Sequence, residues 1–467
     1  MKPNNKKSRE EFKKIPSVDS IISECFNNND INFPYLLLKN IIKTEIKSVK
    51  SKILTEKLDK DIKKILFLNI QNRIDFYQKN SLTAVINGTG IVLHTGLGRA
   101  PISKTIINKA IDNIYPYSSL EFNVSNNKRG ERNNHISYLL NSILSSESSI
   151  IVNNNAAAVL LTLNTFANEK EVIISRGELV EIGGSFRIPD VVTKANCKMK
   201  EIGTTNKTHL KDFENAINDN TGMIMIAHTS NYKVVGFTES VDLKDIVKLA
   251  KRKKIPIFLD LGSGALVDFE KYDLPKEKMV QDYIKMGVDI ISFSGDKLIG
   301  GIQSGIICGK KKYIKEIHSN SMYRALRCDK FNISITENIL RTYLDKSTVA
   351  DDNLSFVLLT RNRQSLNRFG ELIIKNIPSK LINKYKICLI DSYVQAGSGS
   401  LPIKNIESKA IVFKNKNVKA TKLSESFRKQ KHPVIGYIKS NVFHIDLKAI
   451  PEDQLELLVK SIKNILK

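Results

Sequence analysis

Residues Val288–Gly309 read VDIISFSGDKLIGGIQSGIICG. The stretch opens on an apolar, β-branched run, Val288–Phe293, which predicts a buried strand. Ser294-Gly295-Asp296-Lys297 breaks that run, Gly300-Gly301 makes a hinge, and Gly305–Cys308 is a second apolar run. The pattern is strand, sharp turn with a single lysine, glycine-hinged turn, strand. Lys297 then stands at the mouth of a sheet between apolar walls. Burial favours the neutral amine, and a nucleophilic amine in such a place suits a Schiff base with a carbonyl compound or pyridoxal phosphate. Spacing alone leaves a second reading open, a surface lysine in a hairpin turn.

Around this stretch, short apolar runs alternate with helical patterns from about 134 to 310. The strands expected are Ser149–Val152, Glu171–Ser175, Lys198–Ile202, Met223–Ala227, Pro256–Asp260 and Val288–Phe293. The helices expected between them are His135–Leu144, Ala156–Phe166, Leu210–Ile217, Leu243–Arg252 and Lys278–Met286. Such alternation predicts an α/β domain with a mostly parallel sheet, whose ligands sit at the carboxyl ends of the strands. Lys297, Asp260 and His228 all follow strands and are expected to converge. After Tyr343 the pattern changes to a smaller α+β domain: helix Leu366–Ile374, strands Ile387–Val394 and Ala410–Phe413, helix Lys422–Lys429, strands Val434–Ile438 and Val442–Leu447, and helix Glu452–Leu466. Before the α/β region, Pro34 to Tyr77 repeats Leu38, Ile41, Ile42, Ile46, Val49, Ile53, Leu58, Ile62, Ile65 and Leu66 at helical steps, with lysines between them. This is a small helical domain or one long helix with a greasy and a basic face. Ser17 or Asp19 is placed to cap a helix before it. The boundaries expected are 1–75, 76–342 and 343–467.

The chain has 467 residues and a formal net charge of +25. A polyanionic partner explains that charge, nucleic acid first, and so does compositional drift in a chain rich in Lys, Asn and Ile. No apolar run reaches transmembrane length, and no apolar segment follows the basic N-terminus as in a secretory signal. Cys25, Cys197, Cys308, Cys328 and Cys388 are scattered without a CxxC pair. They read as free thiols of a cytoplasmic protein, with no metal framework. The glycines of INGTGIVLHTGLGRAP (Ile86–Pro101) do not make a dinucleotide loop, because Pro101 occupies the third glycine position.

Three further groups carry chemistry. Asp260 ends a strand and is followed by Leu261-Gly262-Ser263-Gly264; it suits a pyridinium nitrogen, or a structural turn. Asn153-Asn154-Asn155-Ala156-Ala157-Ala158 runs from strand into helix. Asn154 and Asn155 can cap, and Ala156 and Ala157 let an anion approach backbone amides, with Ser294 adding a hydroxyl; plain capping is the alternative. Arg99, Arg324 and Arg327 suit an oxyanion, and Arg324 and Arg327 are expected to share a helix face; a solvated surface is the alternative.

Several long motifs carry a resemblance. They include IPSVDSII (Ile15–Ile22), INGTGIVLHTGLGRAP, KRGER (Lys128–Arg132), VNNNAAAVLLTLN (Val152–Asn164) and SRGELVEIGGSFRIPDV (Ser175–Val191). GTTNKTHLKDFENAI (Gly203–Ile217), HTSNYKVVGFTE (His228–Glu239), DLGSG (Asp260–Gly264), SFSGDKLIGG (Ser292–Gly301) and RALRCDK (Arg324–Lys330) complete them. Along nearly its whole length the chain resembles the bacterial selenocysteine synthases, the L-seryl-tRNA(Sec) selenium transferases. It departs at Asn133-Asn134, before His135, where an aromatic residue and a serine are the family pattern. The resemblance implies a fold-type-I enzyme dependent on pyridoxal 5'-phosphate (PLP). It implies Lys297 as the Schiff-base residue, Asp296 as a catalytic group, and Arg99, Arg324 and Arg327 as ligands for selenophosphate. It further implies a helical N-terminal domain that holds the tRNA, and homo-oligomers built as rings of dimers, often decamers. The implied reaction converts seryl-tRNA(Sec) to selenocysteinyl-tRNA(Sec) by way of dehydroalanyl-tRNA. The competing functional class is a PLP-dependent lyase of the same superfamily that uses no tRNA. Candidates to stack on the cofactor ring are His228 and the Arg176–Phe186 segment.

Overall fold

The computed structural model describes residues 10–27, 33–55, 61–182, 186–228, 235–345, 347–397, 406–415 and 417–466. The basic residues before position 10, Leu58, most of the loops expected at Asn27–Asp30 and Gly397–Ser400, and parts of the Arg176–Phe186 and His228–Glu239 segments lie outside them. The chain divides into two compact units, Met1–Ala84 and Val85–Lys467.

The first unit contains helices α1 (Val18–Asn27), α2 (Tyr35–Thr55) and α3 (Ile62–Gln78). Ser17 Oγ accepts from Ser20 N at 3.1 Å and opens α1, as its position predicts. The periodic run after Pro34 is divided, because Asp61 caps a new helix by accepting from the backbone amides of Lys63 and Lys64. Leu38, Ile42, Leu66 and Ile70 are buried together, while Lys43, Lys47, Lys50, Lys52, Lys63 and Lys64 are exposed. Glu45, the one buried acid among the described residues of these helices, receives Arg73 Nε at 3.1 Å.

The second unit is built on a seven-stranded sheet. Its strands in chain order are β1 (Ser148–Val152), β2 (Glu171–Ser175), β3 (Lys198–Ile202), β4 (Thr221–Ala227), β5 (Ile257–Gly262), β6 (Ile290–Ser294) and β7 (Gly305–Gly309). Their spatial order is β1-β7-β6-β5-β4-β2-β3. Only β7 runs antiparallel to its neighbours β6 and β1; the other pairings are parallel. The six parallel strands therefore share one carboxyl edge, and β7 begins at that edge, with Gly305 opposite both Ser294 and Val152. Strands β5, β6 and β7 are buried along their whole length, which is why they read as unbroken apolar runs.

Helix α4 (Asn155–Ala167) follows β1, α5 (Ser321–Leu326) lies beyond β7, and α6 (Lys330–Arg341) follows α5. The core around the large sheet extends to Phe356 and Leu359. A four-stranded antiparallel sheet follows, with order β8 (Ile387–Val394), β9 (Ile406–Phe413), β11 (Val442–Asp446) and β10 (Tyr437–Lys439). The single strand expected over Val434–Ile438 is broken at Gly436, where a Cβ would stand 2.2 Å from the His444 carbonyl oxygen. Val434–Ile435 pairs instead with Ile86–Asn87, an early segment of the unit.

Candidate active site

The carboxyl edge of the large sheet gathers most of the chemistry. Asp260 lies near the end of β5 and is 7% exposed. Three donors converge on its Oδ1: Asn155 Nδ2 at 2.8 Å, Ser292 Oγ at 3.0 Å and the Gly262 amide at 3.3 Å. Burial pushes the Asp260 carboxyl above its ordinary range, opposed by the Asn155 and Ser292 bonds and by the positive charge of Lys297. The carboxylate is thus fixed by donors from three elements, α4, β6 and its own strand β5, and placed near the lysine.

Lys297 lies in the turn after β6 and is 5% exposed. Its turn closes on itself: the Gly300 amide donates to the Lys297 carbonyl, the Gly301 amide to the Gly295 carbonyl, and the Gly295 amide to the Ser304 carbonyl. Gly300 has φ of +72°, and a Cβ there would collide with Asn353 Oδ1 at 2.3 Å, so the turn depends on glycine. The surface-lysine reading of this turn is therefore excluded. Burial lowers the Lys297 pKa first and Arg99 lowers it further, while Asp260 and Asp296 oppose them. The adjacent Asp296 is also buried and holds Arg99 Nη1 at 3.3 Å. Arg99 adopts a left-handed backbone, φ 61°, directly after Gly98 at φ 93°. Its amide bonds the His94 carbonyl at 2.9 Å, so a strained turn delivers the guanidinium to Asp296.

Asn154 opens α4, its side chain accepting from the Ala157 amide at 2.8 Å. Ala156 and Ala157 supply the small first-turn side chains expected of an anion cradle. Asn155 departs from the expected capping role, since its amide is committed to Asp260. Gly305 packs on this turn; a Cβ there would lie 2.2 Å from the Asn154 carbonyl oxygen. Ser294 is buried opposite Gly305 at the same edge. His228 follows β4, with its amide bonded to the Asp260 carbonyl oxygen at 2.9 Å.

The arginines differ from expectation in one respect. Arg324 lies exposed within α5, but that helix ends at Leu326 and Arg327 is extended, φ −66° and ψ 147°. The two therefore do not share a helix face: six residues are too few to carry the periodicity through position 327. The Leu326 carbonyl instead accepts the Asn153 amide at 2.9 Å, which ties this segment to the α4 turn. Arg327 Nη1 lies 3.2 Å from Glu121, which also holds Arg132 at 2.6 Å.

Two further carboxylates escape sequence reasoning. Glu121 sits in Ser119-Leu120-Glu121-Phe122, where nothing in the spacing marks it. Glu178 lies just after β2 and accepts from the Ala227 amide at 3.1 Å; burial pushes its carboxyl up to about 8. It lines a cavity with Ser175, Thr208, His228 and Glu239. The SRGELVE motif was the available signal for it, but a motif alone does not say which of its acids turns inward.

The residues fit PLP on their own geometry. A buried amine, a buried carboxylate held by three donors, and a capped helix turn occupy one sheet edge. Asn155 Oδ1 and His228 Nδ1 are buried atoms without a hydrogen-bond partner, as groups awaiting a polar ligand would be. Among the described residues no cluster of His, Cys, Asp and Glu could hold a metal, and no helix is long and apolar enough to cross a membrane.

Comparison with known proteins agrees with this geometry. The family model described as SelA, L-seryl-tRNA selenium transferase, matches residues 85–451. An L-seryl-tRNA(Sec) selenium transferase of Alkaliphilus oremlandii is 39% identical, with 97% of this chain and 98% of the relative covered. One from Caldanaerobacter subterraneus is 40% identical over 97% of this chain and 98% of its own length. One from Haemophilus influenzae (strain 86-028NP) is 44% identical over 82% and 84%. Among solved structures, a D-glucosaminate-6-phosphate ammonia-lyase superposes with a TM-score of 0.58 at 17% identity, covering 84% of this chain and 98% of that one. That likeness concerns the fold.

Proposed function

The chain belongs to the L-seryl-tRNA selenium transferase family of fold-type-I, PLP-dependent enzymes, and we propose from that membership how its own residues divide the work. The reaction exchanges the hydroxyl of a seryl group esterified to tRNA(Sec) for selenium, in bacterial selenocysteine biosynthesis. PLP, when bound, supplies an aldehyde for amines and a ring that accepts an electron pair.

Lys297 is the residue that would hold the cofactor's aldehyde, and its Nζ would take the α-proton of the seryl group. Its lowered pKa suits it to both tasks, because a larger fraction is free base near neutrality. Asp260 would pair with the cofactor's ring nitrogen and keep it protonated, with Asn155 and Ser292 fixing the carboxylate. Asn154, Ala156, Ala157 and Ser294 receive the phosphate at the start of α4, where the first helical amides have no intrahelical partner. His228 supports the ring. Asp296 orients Arg99 and stands beside the departing hydroxyl. Arg99, Arg324 and Arg327 bind selenophosphate as the selenium donor, through charge-assisted bonds to its oxygens.

The exposed lysines of α2 and α3 support tRNA binding by the first unit, through phosphate contacts that carry affinity without sequence reading. Tyr115, Tyr117, Val124 and Tyr138 expose large apolar side chains on the second unit, which supports a homo-oligomer; the ring of dimers is what the family resemblance implies. The location that fits this work is the cytoplasm.

The observation that carries the assignment is the buried Lys297 beside Asp260 and Asp296. Transfer of labelled selenium to seryl-tRNA(Sec) tests it. The wild type should form selenocysteinyl-tRNA and Lys297→Ala should fall by at least about 10³-fold, as covalent groups do when removed. An active Lys297→Ala protein would remove the lysine from the mechanism.

A further inference from the structure

The arginine read as a selenium-donor ligand does not stand alone. Glu121 receives three guanidinium groups: Arg132 Nε at 2.6 Å, Arg327 Nη1 at 3.2 Å and Arg129 Nη2 at 3.4 Å. Arg132 also donates from Nη1 to the Cys328 carbonyl at 2.7 Å, directly after Arg327 in the chain. Arg132 and Arg327 are three-quarters buried, whereas Arg129 is 76% exposed. Glu121 itself is anchored, since its carbonyl accepts the Gly130 amide at 2.9 Å across a short hairpin.

Charge counting gives this cluster three cations on one anion. A carboxylate that fully neutralised its partners would have no use for the third arginine. With a surplus of positive charge, the cluster holds its guanidinium groups in place and still attracts an oxyanion. The hydrogen bond from Arg132 holds the Glu121 carboxyl below its usual range, aided by the charges of Arg132, Arg327 and Arg129, so the tether stays ionised at neutral pH. Arg327 is extended beyond the end of its helix, so no helical packing fixes its side chain. Glu121 supplies that constraint.

We propose that Glu121 is a positioning residue for the selenium-donor oxyanion, orienting Arg327 and drawing Arg132 in beside it. This rests on the reading of Arg327 as a donor ligand. Glu121 touches neither the seryl group nor the cofactor in this account, and acts through the guanidinium groups it orders.

The test is steady-state selenium transfer by the full-length holoenzyme, with selenophosphate and seryl-tRNA(Sec) varied separately. Three variants are compared: Glu121→Ala, Glu121→Gln and Arg327→Ala. Glu121→Ala should raise the KM for selenophosphate about ten-fold, with a smaller change in kcat and little in the KM for seryl-tRNA. Glu121→Gln keeps one acceptor oxygen and the side-chain shape, and should recover part of that loss. Arg327→Ala should raise the same KM at least as far. If Arg327→Ala raises the selenophosphate KM and both Glu121 variants leave it unchanged, the present inference fails alone. If Arg327→Ala leaves it unchanged, the underlying reading of Arg327 fails, and this inference with it. A parallel loss of kcat and of both KM values in Glu121→Gln, with a lower melting temperature, would assign Glu121 a structural role and overturn the proposal.

Discussion

At the scale of single residues, the site depends on how burial and neighbouring charges set one amine. Burial is the first cause of the lowered Lys297 pKa, Arg99 adds to it, and Asp260 and Asp296 oppose it. Cofactor attachment to the apoprotein needs the free amine. Its rate should therefore climb with pH through a midpoint below the ordinary lysine value of 10.5 and level off above it. Arg99→Gln removes a charge that lowers this pKa, so the midpoint should rise. Asp260→Asn removes a charge that raises it, so the midpoint should fall. Cofactor absorbance followed over a pH series reads all three, and a common midpoint would contradict the assigned causes. Lys297, Asp260 and the Asn-Ala turn were legible in the sequence because each stands at or just beyond the end of an apolar strand. Glu121 and Glu178 were not. A carboxylate is ordinarily solvated, and only the tertiary fold turns these two toward guanidinium groups and a backbone amide.

At the scale of elements, the site is a consequence of strands that end together. The expected bounds match β2 and β3 to the residue and the other large-sheet strands to within about two. Buried strands carry their signal in continuous β-branched sequence, whereas β3, KMKEI, is a partly exposed strand at the end of the sheet. Pairings between distant segments left no such trace. Ile86–Asn87 joins Val434–Ile435 across most of the unit, and a two-residue strand has no period to read. The insertion of β7 between β6 and β1 brings Gly305 against the α4 turn. Gly305→Ala would place a Cβ 2.2 Å from the Asn154 carbonyl oxygen, against backbone that cannot rotate away. It should destabilise the protein by about 1–3 kcal/mol, the usual cost of overpacking. It should also weaken PLP binding about ten-fold or more, by displacing the first turn of α4. Chemical denaturation and a PLP titration measure the two effects. A variant with unchanged PLP affinity would argue that this turn does not hold the phosphate.

At the scale of the whole molecule, the chain pairs a basic helical unit with an α/β unit that contains every group of the candidate site. A protein lacking residues 1–84 should keep PLP uptake through Lys297 and lose most of its affinity for seryl-tRNA(Sec). The full-length protein should bind that RNA with a steeper dependence on salt, because fewer counterions are released by the shortened one. Equal salt slopes would assign the RNA surface to the second unit. The helical character and basic face of the first unit were readable from its periodicity, but its division into α2 and α3 rests on the cap at Asp61. The central claim, that Lys297 is the covalent anchor, has a more direct test than any activity. The purified protein is loaded with PLP, reduced with borohydride, digested and mapped by mass spectrometry. The account predicts a pyridoxyl group fixed to the peptide containing Lys297. A pyridoxyl group on any other lysine, or none at all, would contradict it.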